Sequence, residues 1–150
     1  MSKLELRSAS VADAPAIAEL CQRAIRETNA ADYPPTIIDS LIADFGAAEV
    51  ARRMADRKVF VAFDGMPLVG TVSLGPDKVH SVFVHAGLQR SGIGSRMMAF
   101  IEDIARGEGR RALALSSSLT AVPFYASLGY IEAGREARQG VAIVLMVKLL

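Results

Sequence analysis

Through the first third of the chain apolar residues recur every three or four positions, and near Val59 they switch to the short runs and alternation of strands. The exception before that point is residues 3–7, where Leu4 and Leu6 alternate with charged neighbours as a short first strand. Ser10, with Asp13 three residues on, marks a helix start close to a capping box. The helix it opens, over residues 11 to about 28, carries Ala14, Ile17, Cys21, Ala24, Ile25 and Thr28 on one side. Residues 29–35 break it, because Pro34 and Pro35 can begin a helix but cannot sit inside one. Ile37, Ile38, Leu41, Ile42 and Phe45 make a second helical stripe that Gly46 stops, and residues 47–57 add a further turn or two.

From Val59 the period is that of a sheet. Residues 59–63 read as a strand, Asp64-Gly65 as a hairpin turn, and Leu68–Leu74 as the returning strand. Gly75-Pro76-Asp77 turns the chain again into Val79–Val84, which completes an antiparallel meander. A helix is expected from about Ser91, with Met97, Met98, Ile101, Ile104 and Ala105 at helical spacing. A short strand at 113–115, a helix at 121–128 and strands at about 130–135 and 141–148 follow. With no repeat, linker or low-complexity segment, the expectation is a single mixed α/β domain over residues 1–150.

The stretch from Val82 to Met98 is the one that carries chemistry. Its strand is followed by Gly92 and Gly94 flanking a single Ile93, and then by a helix. Glycines so spaced remove the Cβ atoms that would keep a ligand off the backbone. The first amides of a helix have no internal partner and carry the positive end of its dipole, so the turn is a seat for a phosphate or pyrophosphate. A tight strand-to-helix turn without any ligand fits the same two glycines. Neither a P-loop nor the dinucleotide fingerprint is present, since the residue three after Gly94 is Met97.

Gln89-Arg90-Ser91-Gly92-Ile93-Gly94, directly after a strand, resembles the Gln/Arg-x-x-Gly-x-Gly/Ala motif of the GNAT superfamily of acyl-CoA-dependent N-acyltransferases. A second block, residues 117–130, resembles that family's next motif, with Ala121 four before Tyr125 and Leu128-Gly129-Tyr130 closing a short helix. The resemblance covers roughly residue 3 to the C-terminus. It implies a mostly antiparallel sheet of about seven strands flanked by helices, with a parallel pair, residues 82–84 and 111–116, that splays to admit the pantetheine arm of acetyl-CoA. Unpaired backbone groups of Phe83 and Val84 would bond that arm as an added strand does. Val82, Phe83, Val84, Gln89, Arg90, Ser91, Gly92, Ile93, Gly94, Ser95, Ser118 and Tyr125 are then the coenzyme-binding candidates. Ser118 stands where many relatives carry an asparagine, and it has the shorter reach.

Tyr125 matches the family tyrosine that protonates or hydrogen-bonds the departing thiolate. The general base is less evident, because Lys78 and Leu113 stand where two branches of the family carry a glutamate. His80, four before Val84, lies where arylalkylamine-acetylating relatives have a histidine, and a neutral imidazole can accept a proton from an ammonium. A structural strand histidine, with proton loss to ordered water, is the other reading. His85 is expected on the opposite strand face. The acceptor, a small amine or a peptide amine, is expected between the first two helices. There Glu27, Thr28, Asn29, Asp32 and Tyr33 can meet a cation.

Composition narrows this further. The formal net charge of +1 and the absence of a basic run give no case for nucleic acid. No signal-peptide pattern or membrane-length apolar stretch is present, and the single Cys21 fits a reducing cytoplasm. No His/Cys cluster has metal-ligand spacing, so no metal is expected. Residues 141–147 are apolar enough to suggest a homodimer. The expected function is acetyl transfer from acetyl-CoA to a primary amine by direct attack. The alternatives are a non-catalytic acyl-CoA sensor or scaffold, or a transferase using a longer acyl-CoA.

Overall fold

Asp13 sets where the first helical run begins. Its carboxylate accepts the Ser10 N–H at 2.8 Å and meets the Arg7 guanidinium through two bonds of 2.9 and 3.0 Å. The Arg7 bonds, and then the Ser10 amide, hold its carboxyl down at about 2. The computed structural model describes residues 4–65 and 67–150, the side chain of Asn29 excepted; Lys3, expected to open the first strand, lies outside them. After β1 (Leu4–Ser8), a 3₁₀ turn at Val11–Asp13 leads into α1 (Ala14–Ala24). The run then widens into a π turn at Ile25–Asn29 and tightens again at Ala30–Asp32. The single helix expected over 11–28 is therefore three helical geometries in series.

The remaining elements are α2 (Pro35–Asp44), α3 (Ala47–Arg53), β2 (Lys58–Asp64), β3 (Leu68–Leu74), β4 (Val79–Val84), α4 (Ile93–Gly107), β5 (Ala112–Ser117), α5 (Val122–Ser127), β6 (Ile131–Arg138) and β7 (Val141–Leu149). They build one seven-stranded mixed sheet in the order β1-β2-β3-β4-β5-β7-β6, with only β4 and β5 parallel. Alternation along β2 supplies both layers. Phe60 and Ala62 join Met97, Met98, Ile101 and Ala105 of α4, while Val59 and Val61 join Ile17, Cys21 and Val50 of α1 and α3. The second stripe behaves differently from a core helix, for no residue of α2 is fully buried. That helix lies at the rim, tied down by the Gln22 side chain, which donates to the Ile42 carbonyl, and by Phe45, whose ring meets Phe83 edge-on at 5.0 Å.

Where β4 meets β5 the ladder is a single pair, Val79 with Leu115. A bulge is the cause. His80 pairs with Ser73 and Phe83 with Thr71, so Ser81 and Val82 together face Val72, and Ser81 takes φ +54°. The extra residue bends β4 away from β5 and resets its alternation. Val79, Val82 and Val84 pack toward α4, and Phe83 packs toward α1 and α2. The opposite-face expectation for His85 assumed an unbroken strand, and the bulge removes its basis.

β7 lies between β5 and β6, so its backbone is paired on both sides and only its outward side chains are open to a partner. The sheet ends instead on β6, whose Glu132, Arg135, Glu136 and Arg138 are exposed, a charged edge that resists strand addition. Among the described residues no helix is long and apolar enough to cross a membrane.

Two outcomes are expected. A Cβ on Gly70 would stand 2.6 Å from the Sδ of fully buried Met97 and 3.2 Å from the Phe83 carbonyl oxygen. Gly70→Ala should therefore lower stability in urea unfolding by about 1–3 kcal/mol. Asp13 has its carboxyl depressed from 3.8 to about 2, so its stabilisation is present above the unfolded value and is lost as pH falls toward the folded one. Asp13→Asn should melt below wild type near neutral pH, with the gap closing as both are acidified through that window.

Candidate active site

The parting of β4 from β5 leaves backbone groups of β4 facing a gap, and alternation decides which. The His85 N–H bonds the Val69 carbonyl at 2.8 Å. Two residues back in the same register, Phe83 therefore directs its N–H and C=O to Thr71 of β3, and Val84 directs its own to the gap. The expectation that both residues offer free groups is thus corrected: Phe83 spends its pair inside the sheet. The Val84 carbonyl is also engaged, accepting from Gln89 Nε2 at 3.1 Å. Gln89 so ties the glycine turn back to the strand it follows, and the Val84 N–H is left pointing into the gap.

The turn is built to present amides. After a 3₁₀ turn at Ala86–Leu88, where His85 Nδ1 accepts the Gly87 N–H at 3.1 Å, Arg90 and Gly92 take φ +65° and +86°. Ser91 Oγ donates to the Leu88 carbonyl. The first bond of α4 runs from the Arg96 N–H to the Gly92 carbonyl at 3.1 Å, so the amides of Ile93, Gly94 and Ser95 precede the helical ladder. Gly94 is needed for packing as well as approach, since a Cβ there would stand 3.0 Å from Phe124 Cζ. That contact seats α5 against the start of α4. Arg90 is exposed on the turn.

α5 follows β5 through a turn that Ser118 closes, its Oγ accepting the Ala121 N–H at 3.2 Å. That bond uses Oγ as an acceptor, and the Ser118 hydroxyl can still donate. Tyr125 is 8% exposed and packs in the same apolar cluster as Val82 and Val84. Its ring is held edge-on by Phe124 at 5.0 Å and by Tyr130 at 6.0 Å. No group among the described residues bonds its hydroxyl, while every fully buried side-chain oxygen or nitrogen has a partner, so that hydroxyl reaches the surface. Burial of the ring pushes the phenol up to about 12, and it stays protonated at neutral pH.

His80 stands at the closed end of the gap, one residue past the Val79–Leu115 pair. Its Nε2 lies 3.0 Å from Asp77 Oδ1 in the turn before β4, and its ring is three-quarters or more buried against Gly75. The His80 bond is the first cause that holds the Asp77 carboxyl below its ordinary value. Lys78 spans the same end, donating to Ser116 Oγ at 2.8 Å, and Leu113 is buried in the core. In the expected acceptor loop, Glu27 is paired with Arg23 at 3.2 Å and Thr28 is exposed. Asp32 accepts a hydrogen bond from Thr120, which joins the α1–α2 connection to the turn before α5. Burial, then Asp32, raises the half-buried Tyr33 phenol.

One set of residues escaped the sequence reading. Glu102 on α4 is buried, accepting from the Tyr130 hydroxyl at 2.9 Å and from Lys148 Nζ at 2.9 Å. The signal was present, since Glu102 falls four after Met98 and three before Ala105 on the apolar face. A lone carboxylate there needs a buried partner. Thr120 carried no such signal, because it acts only through Asp32, which the fold brings to it; Asp77, three before His80, was within local reach.

A family model described as an acetyltransferase (GNAT) domain matches residues 29–150. Among solved structures, a GCN5-related N-acetyltransferase from Rhodopseudomonas palustris is 27% identical, with a TM-score of 0.91 over 100% of this chain and 98% of that one. PaiA N-acetyltransferase from Thermoplasma acidophilum, in complex with coenzyme A, is 20% identical with a TM-score of 0.81 over 99% of each chain. The protein yncA from Salmonella typhimurium, with its cofactor acetyl-CoA, is 23% identical with a TM-score of 0.69 over 97% of this chain and 93% of that one. Comparison with curated proteins by sequence gives no match. The family match over residues 29–150, with the likeness in fold to these structures, leads to one conclusion: the chain belongs to the GNAT acetyltransferase family and is an acyltransferase.

Proposed function

We propose that residues 1–150 act as one catalytic unit that moves acetyl from acetyl-CoA to a primary amine by direct attack. The observation that carries this is the gap beside β4, bordered by the amide-lined turn at one end and sharing its apolar cluster with Tyr125. Coenzyme binding by PaiA and by yncA, which have this fold, supports the same choice of cosubstrate. The pyrophosphate meets the amides of Ile93, Gly94 and Ser95, with Gln89, Arg90, Ser91 and Gly92 shaping the turn. The pantetheine arm lies along Val82, Phe83 and Val84 and bonds the Val84 N–H. Ser118 supports the turn before α5 in this proposal.

In the reaction the amine nitrogen bonds the thioester carbonyl carbon and the carbon–sulfur bond breaks. Tyr125, whose burial keeps its phenol protonated, gives its proton to the departing thiolate and regains one from the attacking nitrogen, which sheds its second proton as the amide forms. His80, oriented by Asp77 through Nε2, keeps Nδ1 as the acceptor for the ammonium proton, directly or through water. Rate comes chiefly from holding both reactants in one groove. Asp32 and Tyr33 meet the amine at the rim that Phe45 and Phe83 complete. No metal is called for. Pairing of two copies through the outward side chains of β7 belongs to the same proposal, as does a cytoplasmic setting, with the buried Cys21 thiol pushed up to about 12.

Release of free thiol from acetyl-CoA across polyamines, arylalkylamines, amino acids, aminoglycosides and lysine peptides tests the reading. One acceptor class should turn over, and Tyr125→Phe should lower its kcat by about 10²-fold or more with acetyl-CoA affinity retained. His80→Ala should lose activity near neutral pH and regain part of it as pH rises. Gly94→Val, by driving Phe124 off the start of α4, should weaken coenzyme A binding in calorimetry by at least about tenfold. Tight binding without turnover on any amine would favour the sensor reading instead.

A further inference from the structure

Among the described residues no group hydrogen-bonds the Tyr125 hydroxyl. Its ring is aimed by neighbours, and Tyr130 is the neighbour whose own position is fixed from outside the α5 turn. The backbone makes the first tie, for the Tyr130 N–H bonds the Tyr125 carbonyl at 3.1 Å across a turn in which Gly129 takes φ +99°. The Tyr130 ring makes the second, standing edge-on to Tyr125 at 6.0 Å while itself only 2% exposed. Its hydroxyl makes the third, donating to Glu102 Oε2 at 2.9 Å. Lys148 of β7 donates to the other carboxylate oxygen at 2.9 Å, and its ammonium lies 5.8 Å from the Tyr130 ring centroid. Gly129 leaves room for this, its absent Cβ falling 3.3 Å from Lys148 Cε.

A buried carboxylate is costly unless paired, and an apolar side chain would fill the Glu102 position without that cost. What the carboxylate adds is direction. It fixes the rotation of Tyr130 relative to α4, the helix whose first turn offers amides to the coenzyme. We propose that Glu102, neutralised by Lys148, is a positioning residue that through the Tyr130 hydroxyl sets the Tyr125 hydroxyl relative to the amide-lined start of α4. This rests on the assignment of Tyr125 as the proton donor. The network touches no reacting atom. Its loss lets the Tyr125 ring tilt, and a displacement of about 1 Å can cost up to about a hundredfold in rate.

A double-mutant cycle between Tyr125→Phe and Tyr130→Phe separates positioning from mere support, read as kcat, acetyl-CoA KM and thermal melting. Tyr130→Phe keeps the ring and removes only the bond to Glu102. It is expected to lower kcat by about tenfold or more with KM within about twofold, and to cost nothing further when Tyr125 is already Phe. Unchanged kcat in Tyr130→Phe, or losses that multiply in the double variant, overturns the positioning role and leaves the Tyr125 assignment standing. Full activity of Tyr125→Phe overturns that assignment, and the positioning proposal with it. Should Tyr130→Phe not fold, Glu102→Gln carries the same cycle. It keeps an acceptor for the Tyr130 hydroxyl but gives up the charge that holds Lys148, so a smaller kcat loss that also vanishes in the Tyr125→Phe background is expected, and an additive one overturns the proposal.

Discussion

The parting of β4 from β5 is the constraint on which the other features depend. A strand inside a sheet cannot leave backbone groups facing a void unless something else meets them, because each unpaired buried group costs about as much as a lost hydrogen bond. Here the bulge at Ser81 and Val82 bends β4 off its parallel neighbour after one pair. Gln89 reaches back to the Val84 carbonyl, so the turn after the strand is anchored by the group the bulge released. The Val84 N–H faces the gap, on the strand that leads into the turn before α4. A defect in pairing thus becomes a track of donors.

The same bend sorts side chains. By resetting alternation it turns Val82 and Val84 toward α4 and lets Phe83 meet Phe45 on the rim helix. Phe45 is in turn covered by the Arg53 guanidinium at 4.7 Å. α2 owes its place largely to that aromatic contact and to Gln22, which explains how a helix with four stripe residues, Ile37, Ile38, Leu41 and Ile42, buries none of them fully. Its half-exposed face belongs to the rim of the groove. The bond from Thr120 to Asp32 draws the α1–α2 connection over the turn before α5, so both borders of the groove are set by contacts between distant segments.

Charge is placed sparingly in the interior and always with partners. Glu102 is the one buried carboxylate among the described residues, and both of its oxygens accept bonds. Most other ion pairs lie at the surface between residues a few positions apart, where each adds little to stability. The contrast gives the Glu102 network its meaning: it joins α4, the α5–β6 turn and β7, three segments that surface pairs do not connect.

The sequence alone determined the meander, the glycine turn, the second motif and the helices on either side, because each is written in local chemistry. Asp64-Gly65 makes a turn, alternation makes a strand, and Gly92 and Gly94 open a helix whatever lies elsewhere in the chain. The elements it anticipated stand within a few residues of where the structure has them, and the two motif blocks sufficed to point to the family that the match over residues 29–150 shows. Only the tertiary structure decided the rest. It put β7 inside the sheet with β6 at its edge, gave Phe83 to β3 and Val84 to the gap, joined Thr120 to Asp32, and paired Glu102 with Tyr130 and Lys148. These outcomes hang on one extra residue in β4 and on partners such as Glu102 and Lys148, 46 positions apart. No local period records such a distance; it exists only once the chain has closed on itself.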